Sequence, residues 1–522
     1  MIFRSKLPDL DIPDGSLTDV LLQHCDALGD KQALVDGPTG REITYAQLPV
    51  MVRRFATGLA ERGFGKGDVL AIFMPNVPEY GIAFLGTAWL GGVNTTVNSL
   101  YSTDDLIHQF KDSGARFLLT IPDFLDRALP AAEATGIEEI FVLGSAENCT
   151  PYAELLNNAG DAPQAEIDPT RDMVAMPYSS GTTGLAKGVM LSHRNLIANF
   201  VLSTEVNPAV EDDKMFAVLP FFHIYGMTLL LCLSLYNGVT LLSSPRFELE
   251  QFLQIVQDHR VTLLSLVPPL VLALANHPVV DQYDLSCVRL ITCGAAPLGV
   301  DLEQACAERL DCGIIQGYGL TEVAGASHIR ALGSDLDLPG SVGPVLTNTE
   351  SKIIDVETGA ELGPKETGEV LIRGPHVMLG YLNNPEANAR SLDDEGWFYT
   401  GDIGYADDDG CFFIVDRVKE LIKYKAYQVA PAELEALLLT HEAVADAAVI
   451  PSPDLEAGEV PKAFVLRKGE LGEQELMDWV AERVAPHKKI RRLEFVDEIP
   501  KSASGKILRR LLVEKERQQV AG

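Results

Sequence analysis

The stretch Ser179-Ser180-Gly181-Thr182-Thr183-Gly184-Leu185-Ala186-Lys187-Gly188 decides how the rest of the chain is read. Its three glycines let the backbone turn without a Cβ penalty, so successive N–H groups can converge on one point. Hydroxyls of Ser179, Ser180, Thr182 and Thr183 add donors, and Lys187 adds a positive charge. Converging amides form a nest for an anion, and this density of donors suits a polyphosphate. Apolar, strand-like runs at 173–178 and 189–191 hold the loop between two strands. A Walker loop does not fit, because Lys187 is followed by Gly188 rather than Ser or Thr, and no helix opens there.

Outward from the loop, short apolar strands alternate with segments of helical spacing. Helices are expected over 17–30, 45–64 and 79–91, and strands over 68–74, 115–120 and 139–143. Ser192 can cap a helix running to about Leu202. Strands at 216–219, 262–267, 289–292 and 313–316 then alternate with helices at 249–260, 269–275 and 302–310. This alternation predicts βα units and parallel sheets. From about Pro339 the texture changes to short strands at 351–355, 369–373 and 411–415 with tight turns, as in a small antiparallel barrel or sheet. After Asp416 a compact α+β pattern follows, with Pro431 at a helix start. The expected fold class is α/β. A large N-terminal domain, 1–415, carries stacked βα sheets and a small β-barrel-like part; a small α+β domain, 416–522, follows.

The chain has 522 residues and a formal net charge of −32. The residues from Asp416 onward are close to neutral, so almost all of the negative excess precedes them. Such a body argues against nucleic acid and anionic membranes, and an anionic substrate needs local basic sites. The eight cysteines form no Cys-x-x-Cys pair and no zinc spacing with His, which suits reduced thiols in the cytoplasm. The N-terminus is broken by charges and prolines, unlike a signal peptide. Residues 221–245 carry no Asp, Glu, Lys or Arg. His223, Gly226 and Tyr236-Asn237-Gly238 interrupt them, so a buried helix, a turn and a buried strand are expected rather than a membrane span.

Three further clusters carry chemistry. Thr321 and Glu322 end Gly317-Tyr318-Gly319-Leu320-Thr321-Glu322, read as a glycine-bracketed turn after a strand, where ligand crevices form. A carboxylate beside a phosphate loop makes sense with Mg2+ between them. Tyr399-Thr400-Gly401-Asp402 ends a strand on an Asp able to accept ribose hydroxyls. Lys506 closes the small-residue loop Pro500-Lys501-Ser502-Ala503-Ser504-Gly505-Lys506.

In this order, and with Gly294-Ala295-Ala296-Pro297 between them, these pieces resemble the adenylate-forming superfamily of acyl-CoA synthetases, luciferases and peptide-synthetase adenylation domains. The run Val415-Asp416-Arg417-Val418-Lys419-Glu420-Leu421-Ile422-Lys423-Tyr424-Lys425, followed by Gln428-Val429-Ala430-Pro431, is most similar to the 4-coumarate:CoA ligase branch. The resemblance implies that Ser179, Ser180, Gly181, Thr182, Thr183, Gly184 and Lys187 hold the ATP phosphates. Thr321 would contact the α-phosphate and Glu322 would hold Mg2+. Asp402 and Arg417 would bind the ribose. Gly294, Ala295, Ala296 and Tyr318 would frame the adenine, with Gln316, Gly317 and Gly319 beside them. Lys419 would be the hinge of a mobile C-terminal domain. Lys423 and Gln428 would support adenylation, and Lys425 and Ala426 would lie on the CoA path. Lys506 would bridge the substrate carboxylate and the α-phosphate; His223, Tyr225, Gly319, Gly325 and Ala326 would line the acyl pocket.

The implied activity is ATP-dependent carboxylate–CoA ligation through acyl-AMP, on hydroxycinnamate-like aromatic acids. The alternatives are fatty acyl-CoA synthesis, adenylation for another acceptor, and a nucleotide-binding regulator, against which Lys506 and Glu322 argue. ATP, Mg2+, CoA and a small carboxylic acid are the expected partners of a cytoplasmic monomer or homodimer, with no nucleic acid and no membrane insertion. The sequence departs from the branch at several places. Ala186 stands where Pro is common. Ala426 stands where Gly is usual, which puts the thioester step in question. Gly325-Ala326 replaces a Pro-Val pair, which predicts a roomier acyl pocket. Thr292 and Cys293, rather than a lysine, precede Gly294.

Overall fold

The computed structural model describes residues 1–179, 186–206, 209–425, 427–454, 456–502 and 505–521. Among them the chain forms four sheets. The first has parallel strands Val93–Thr96, Val69–Phe73, Ala115–Thr120 and Glu139–Val142 at its centre. At one edge lie Met173–Ala175, Lys187–Ser192 and Tyr178–Ser179. The two strands that flank the glycine-rich loop pair antiparallel, Ser179 opposite Lys187 and Tyr178 opposite Gly188.

The second sheet runs in parallel through Gln32–Asp36, Thr240–Ser243, Lys214–Ala217, Leu263–Leu266, Leu290–Cys293 and Gly313–Leu320. Gly325–Ile329 folds back antiparallel on the last of these. The expected turn at 317–322 is therefore corrected: the strand continues through Gly317, Tyr318 and Gly319, and the chain turns at the short 3-10 helix Thr321–Val323. The glycines serve close approach rather than turning. A Cβ on Gly319 would stand 1.8 Å from the Gly325 carbonyl oxygen.

Helices Pro78–Trp89 and His193–Val206 are buried over most of their length and touch strands of both sheets. Their near-continuous apolar surface suits a layer with sheet on either side. Ser192 caps the second of them as expected: the Asn195 N–H donates to Ser192 Oγ at 3.1 Å, and the Ser192 N–H donates to Asn195 Oδ1 at 2.9 Å. The uncharged stretch forms the π-helical Tyr225–Cys232, the turn of helix Leu233–Tyr236 and the strand Thr240–Ser243. Among the described residues no helix is long and apolar enough to cross a membrane.

The third sheet is antiparallel, in the order Ile2–Arg4, Glu350–Ile354, Gly368–Arg373, Phe398–Ala406, Phe412–Arg417. It is barrel-like in that its two edge strands meet, Phe3 packing edge-on against Phe412 with centroids 5.2 Å apart. The division expected after residue 415 falls inside the last strand, whose Asp416 and Arg417 pair with Ile403 and Asp402. The fourth sheet begins at Ile422–Tyr424 and contains Val444–Asp454, Gly458–Arg467 and Arg492–Phe495. Helices Pro431–Leu439 and Glu473–Ala481 pack with it around their own apolar core. A final helix, Arg509–Ala521, was not expected from the sequence.

Candidate active site

One large cleft, about 1290 Å³, collects side chains from all parts of the fold. The residues Ser180, Gly181, Thr182, Thr183 and Gly184 lie outside the described residues, but both ends of their loop are fixed. Ser179 Oγ donates to Glu322 Oε1 at 2.9 Å, and the Tyr381 hydroxyl donates to the same oxygen at 2.9 Å. Lys187 Nζ stands 3.7 Å from the centroid of the Tyr381 ring, a cation–π contact. Burial draws the Lys187 pKa down and Glu322 draws it up, while Lys419 and Arg390 lower it further. Ser179, Lys187, their acidic partner Glu322 and two more cations therefore share one rim.

At the wall of the same cleft, Asp402 and Arg417 face each other across a strand pair, Arg417 Nε 3.2 Å from Asp402 Oδ1. The Tyr318 hydroxyl donates to Asp402 Oδ2 at 2.6 Å. Burial raises the Asp402 carboxyl pKa, and Arg417 and Tyr318 oppose it. The Gly294 turn sits close by. A Cβ on Gly294 would come 2.9 Å from the Tyr225 ring, and Ala295 takes φ +68°.

Lys506 enters this cleft from the C-terminal unit, although it is more than eighty residues from Arg417 in sequence. Its loop is closed by the Lys506 N–H donating to Ser502 Oγ at 3.1 Å and the Ser502 N–H donating to the Lys506 carbonyl at 2.8 Å. Three residues on, half-buried Arg509 is clasped by Glu420 and Glu435, which ties the lysine's loop to the segment just after Lys419. Burial and Arg417 push the Lys506 pKa down to about 8, against Glu420 and Asp402. His223 is lowered to about 4 by burial and by Lys506, so it is neutral near pH 7. Its Nδ1 accepts from the Tyr225 N–H at 3.2 Å, which leaves Nε2 as the protonated nitrogen.

Residues 21–382 match the family model for AMP-binding enzymes, and residues 433–506 match the model for their C-terminal domain. The chain belongs to the AMP-binding enzymes. It is 44% identical to 4-coumarate–CoA ligase 2 of Petroselinum crispum, over 98% of this chain and 96% of that one. It is 42% identical to 4-coumarate–CoA ligase of Pinus taeda over the same shares. Among solved structures it resembles the anthranilate CoA ligase AuaEII in complex with anthranoyl-AMP, with TM-score 0.91, 27% identity, and coverage of 98% and 99% of the two chains. ATP-bound MatB from Rhodopseudomonas palustris superposes with TM-score 0.88 and 27% identity, covering 96% and 98%.

Within this AMP-binding enzyme the sequence-expected residues divide between the cleft and its surroundings. Ser179, Lys187, Gly294, Ala295, Gly317, Tyr318, Gly319, Thr321, Glu322, Arg417, Lys419 and Lys506 line the cleft, as do His223, Tyr225, Gly325 and Ala326. Asp402 faces Tyr318 and Arg417 at its wall. Gln316 turns away: its Oε1 accepts the Leu298 N–H at 2.9 Å and its Nε2 donates to Glu303 at 3.1 Å. It splints the turn 294–298 from behind, because alternate side chains of a strand face opposite ways. Ala296 is exposed beside the cleft rather than in its lining. Lys423 and Lys425 are exposed on the C-terminal sheet and do not line the cleft. Ala426 and the Gln428 side chain lie outside what the structure describes.

The roominess expected from Gly325 needs correction. Gly325 takes φ +140°, and a Cβ there would stand 2.4 Å from Asn199 Oδ1. Asn199 fills that space and donates through Nδ2 to the Val323 and Ala326 carbonyls at 2.9 and 2.7 Å. Only Ala326 leaves side-chain volume for a substrate. Sequence reading missed Tyr381, whose only signal is a Gly-Tyr pair ahead of an Asn-Asn-Pro helix start. It also missed His108, whose Nε2 lies 3.0 Å from the carbonyl of Ala186, just ahead of Lys187.

Proposed function

We propose that this chain is an ATP-dependent carboxylate–CoA ligase working through an acyl-adenylate, with hydroxycinnamate-like aromatic acids as substrates. The observation that carries the reading is Lys506, delivered by the C-terminal unit into the cleft that also holds Asp402, Arg417 and Glu322. Full-length likeness to 4-coumarate–CoA ligases supports the acid class and CoA as acceptor.

Adenylation sets a carboxylate against an α-phosphorus that already carries negative charge. Fixed cations offset that repulsion and stabilise the charge that develops in flight. Lys506 holds the acid carboxylate against the α-phosphate, Asp402 and Arg417 fix the ribose, and Thr321 orients the α-phosphate. Lys187 and the hydroxyls of the loop 179–187 hold the outer phosphates. Glu322 suits Mg2+: among the described residues Ser179 and Tyr381 occupy one carboxylate oxygen and leave the other, and Mg2+ takes one or two carboxylates with phosphate oxygens and water. The ion would neutralise phosphate charge there.

The thioester step has no α-phosphate attack for Lys506 to assist. The lysine can then leave, and a unit joined by the short segment 418–421 is able to carry it away. Lys419 is the hinge in that segment, between a third sheet that ends at Arg417 and a fourth that begins at Ile422. Lys425 and Ala426 are assigned to the CoA path, consistent with Lys425 lying off the present cleft, and Lys423 and Gln428 to the support of adenylation. The protein works in the cytoplasm as a monomer or homodimer.

A second acid class, medium-chain fatty acids, is favoured by the apolar wall of Ile224, Leu229, Ala326 and Ile329. The deciding experiment is a panel of aromatic and fatty acids read by pyrophosphate release with and without CoA. Release with 4-coumarate and CoA-dependent thioester formation support the reading. No ATP consumption with any acid overturns it.

A further inference from the structure

Lys187, at the described end of the glycine-rich stretch, stands at one rim of the cleft beside Tyr381. The same rim holds a further cation that neither the sequence reading nor the family resemblance assigns. Arg390 lies in the last turn of the short helix Pro385–Ser391 and lines the cleft. It is close enough to Lys187 to depress that lysine's pKa, as Lys419 also does. An anion that joins like charges gathered at one rim relieves their mutual repulsion. Among the described residues Arg390 is within ion-pair distance of no carboxylate, and neither is Lys419. In a chain of net charge −32, three cations share this rim, with the Glu322 carboxylate held in hydrogen bonds to Ser179 and Tyr381.

The position of Arg390 is fixed by the strand that carries Tyr381. Asn388, two residues earlier, accepts the Tyr381 N–H at 2.6 Å and donates to the Tyr381 carbonyl at 3.0 Å. Asn384 caps the same helix by accepting the Ala387 N–H at 3.0 Å. Tyr381 is the residue whose ring supports Lys187 and whose hydroxyl holds Glu322. Tyr381 is therefore in contact with Lys187, with Glu322 and with the helix that carries Arg390.

We propose that Arg390 is the guanidinium arm of a pyrophosphate clamp, gripping the β- and γ-phosphates of ATP together with Lys187. The inference rests on the ligase reading above. In adenylation a carboxylate oxygen of the acid forms a bond to the α-phosphorus. The bond from that phosphorus to the α,β-bridging oxygen breaks, and its electron pair leaves on pyrophosphate. Negative charge on the leaving group grows as the bond breaks, and a planar guanidinium meets two phosphate oxygens at once where an ammonium meets one. Lys506 serves the attacking side, and Arg390 serves the departing side.

The test uses the full chain with Mg2+ and inorganic pyrophosphate as the probe. Binding is followed by calorimetry for the wild type, Arg390→Lys and Arg390→Ala. Charge-assisted phosphate contacts of this kind predict pyrophosphate binding weakened by about tenfold or more in Arg390→Ala, with partial retention in Arg390→Lys. In kinetics, ATP KM and the pyrophosphate inhibition constant rise together while the acid KM does not. Thioester formation from supplied acyl-adenylate involves no pyrophosphate and shows whether the cleft is intact. Unchanged pyrophosphate binding in Arg390→Ala overturns the inference. So does an equal fall in both half-reactions, which would mean that helix Pro385–Ser391 has merely been disturbed. A wild type that binds pyrophosphate through Arg390 yet adenylates no acid overturns the ligase reading and leaves the clamp standing.

Discussion

Arg417 lies opposite Asp402 in the antiparallel register of the third sheet, and its Nε sits 3.2 Å from the Asp402 carboxylate. Tyr318, from the second sheet, donates its hydroxyl to the same carboxylate. Three side chains from two sheets thus fix the wall on which a ribose would rest. Asp402→Asn removes the anion but keeps the volume, so Arg417 is left in a half-buried place without its counter-charge. Because Arg417 is 31% exposed, the loss in unfolding free energy should stay near the low end for a charged hydrogen bond, about 1.5 kcal/mol. Urea denaturation checks that figure, and a raised ATP KM in pyrophosphate exchange checks the ribose role.

Lys506→Ala should separate the two half-reactions. Adenylation should fall about a hundredfold or more, as when a fixed electrostatic donor is removed from a transition state. Thiolysis of supplied acyl-adenylate should stay within a fewfold of the wild type. The pair of assays is pyrophosphate exchange and thioester release; a parallel fall in both would contradict the role of Lys506 as an adenylation residue on a mobile unit.

The hairpin around the loop 179–188, the capped helix His193–Val206 and the alternation of strands and helices were legible because each signal is local. Hydroxyl caps, glycines and apolar spacing act within a few residues. What stayed hidden depended on partners far away in sequence. Gly317-Tyr318-Gly319 read as a turn because glycine permits turns, but the backbone of Gly325–Ile329 demands a strand without a Cβ there. Gly325 read as open pocket because the side chain that fills it, Asn199, lies 126 residues earlier. Helix Arg509–Ala521 carries so many charges that its apolar spacing is weak; its position comes from Arg509 locked between Glu420 and Glu435. Tyr381 acts through its ring and hydroxyl and His108 through one ring nitrogen, which leave no pattern in a single sequence.

His108 gives a direct test of loop support. Its Nε2 is placed to donate to the Ala186 carbonyl, its ring meets Tyr178 edge-on, and the Tyr178 hydroxyl donates to Asp112 at 2.7 Å. His108→Ala should free the carbonyl just before Lys187 and raise ATP KM by about fivefold, the worth of a neutral hydrogen bond. The acid KM should not move. Initial rates with each substrate varied in turn distinguish this from a general loss of folding.

Ala326 is the place where pocket volume can be altered without a backbone clash. Its side chain lines the cleft, whereas the neighbouring Gly325 is held at φ +140° against Asn199. Ala326→Val should therefore reduce kcat/KM for acids with bulky ring substituents, such as ferulate and sinapate, by about tenfold more than for 4-coumarate, the scale of one or two methylenes in a fitted pocket. Gly325→Ala should instead depress activity with every acid and lower thermal stability, because the added carbon meets the Asn199 amide.

The pH profile of adenylation should bend where Lys506 loses its proton. Burial and the neighbouring Arg417 bring its pKa down to about 8, whereas an exposed lysine holds its proton to 10.5. Only the ammonium offsets the charge of the meeting carboxylate and phosphate. The kcat/KM for adenylation, which reports the free enzyme, should thus decline above about pH 8, approaching tenfold per unit. Arg carries its charge throughout this range, so Lys506→Arg should be slower at pH 7 but lose the bend. Stability should respond in the opposite sense. Between about pH 8 and 10.5 the unfolded chain holds a proton that the folded chain has released, so this residue's contribution to stability increases with pH across that window and is flat below it. A wild type whose adenylation decline survives in Lys506→Arg would place the titrating group elsewhere, whereas a decline confined to the wild type, together with a denaturation midpoint whose rise over that window is lost in Lys506→Met, would assign both effects to one ammonium.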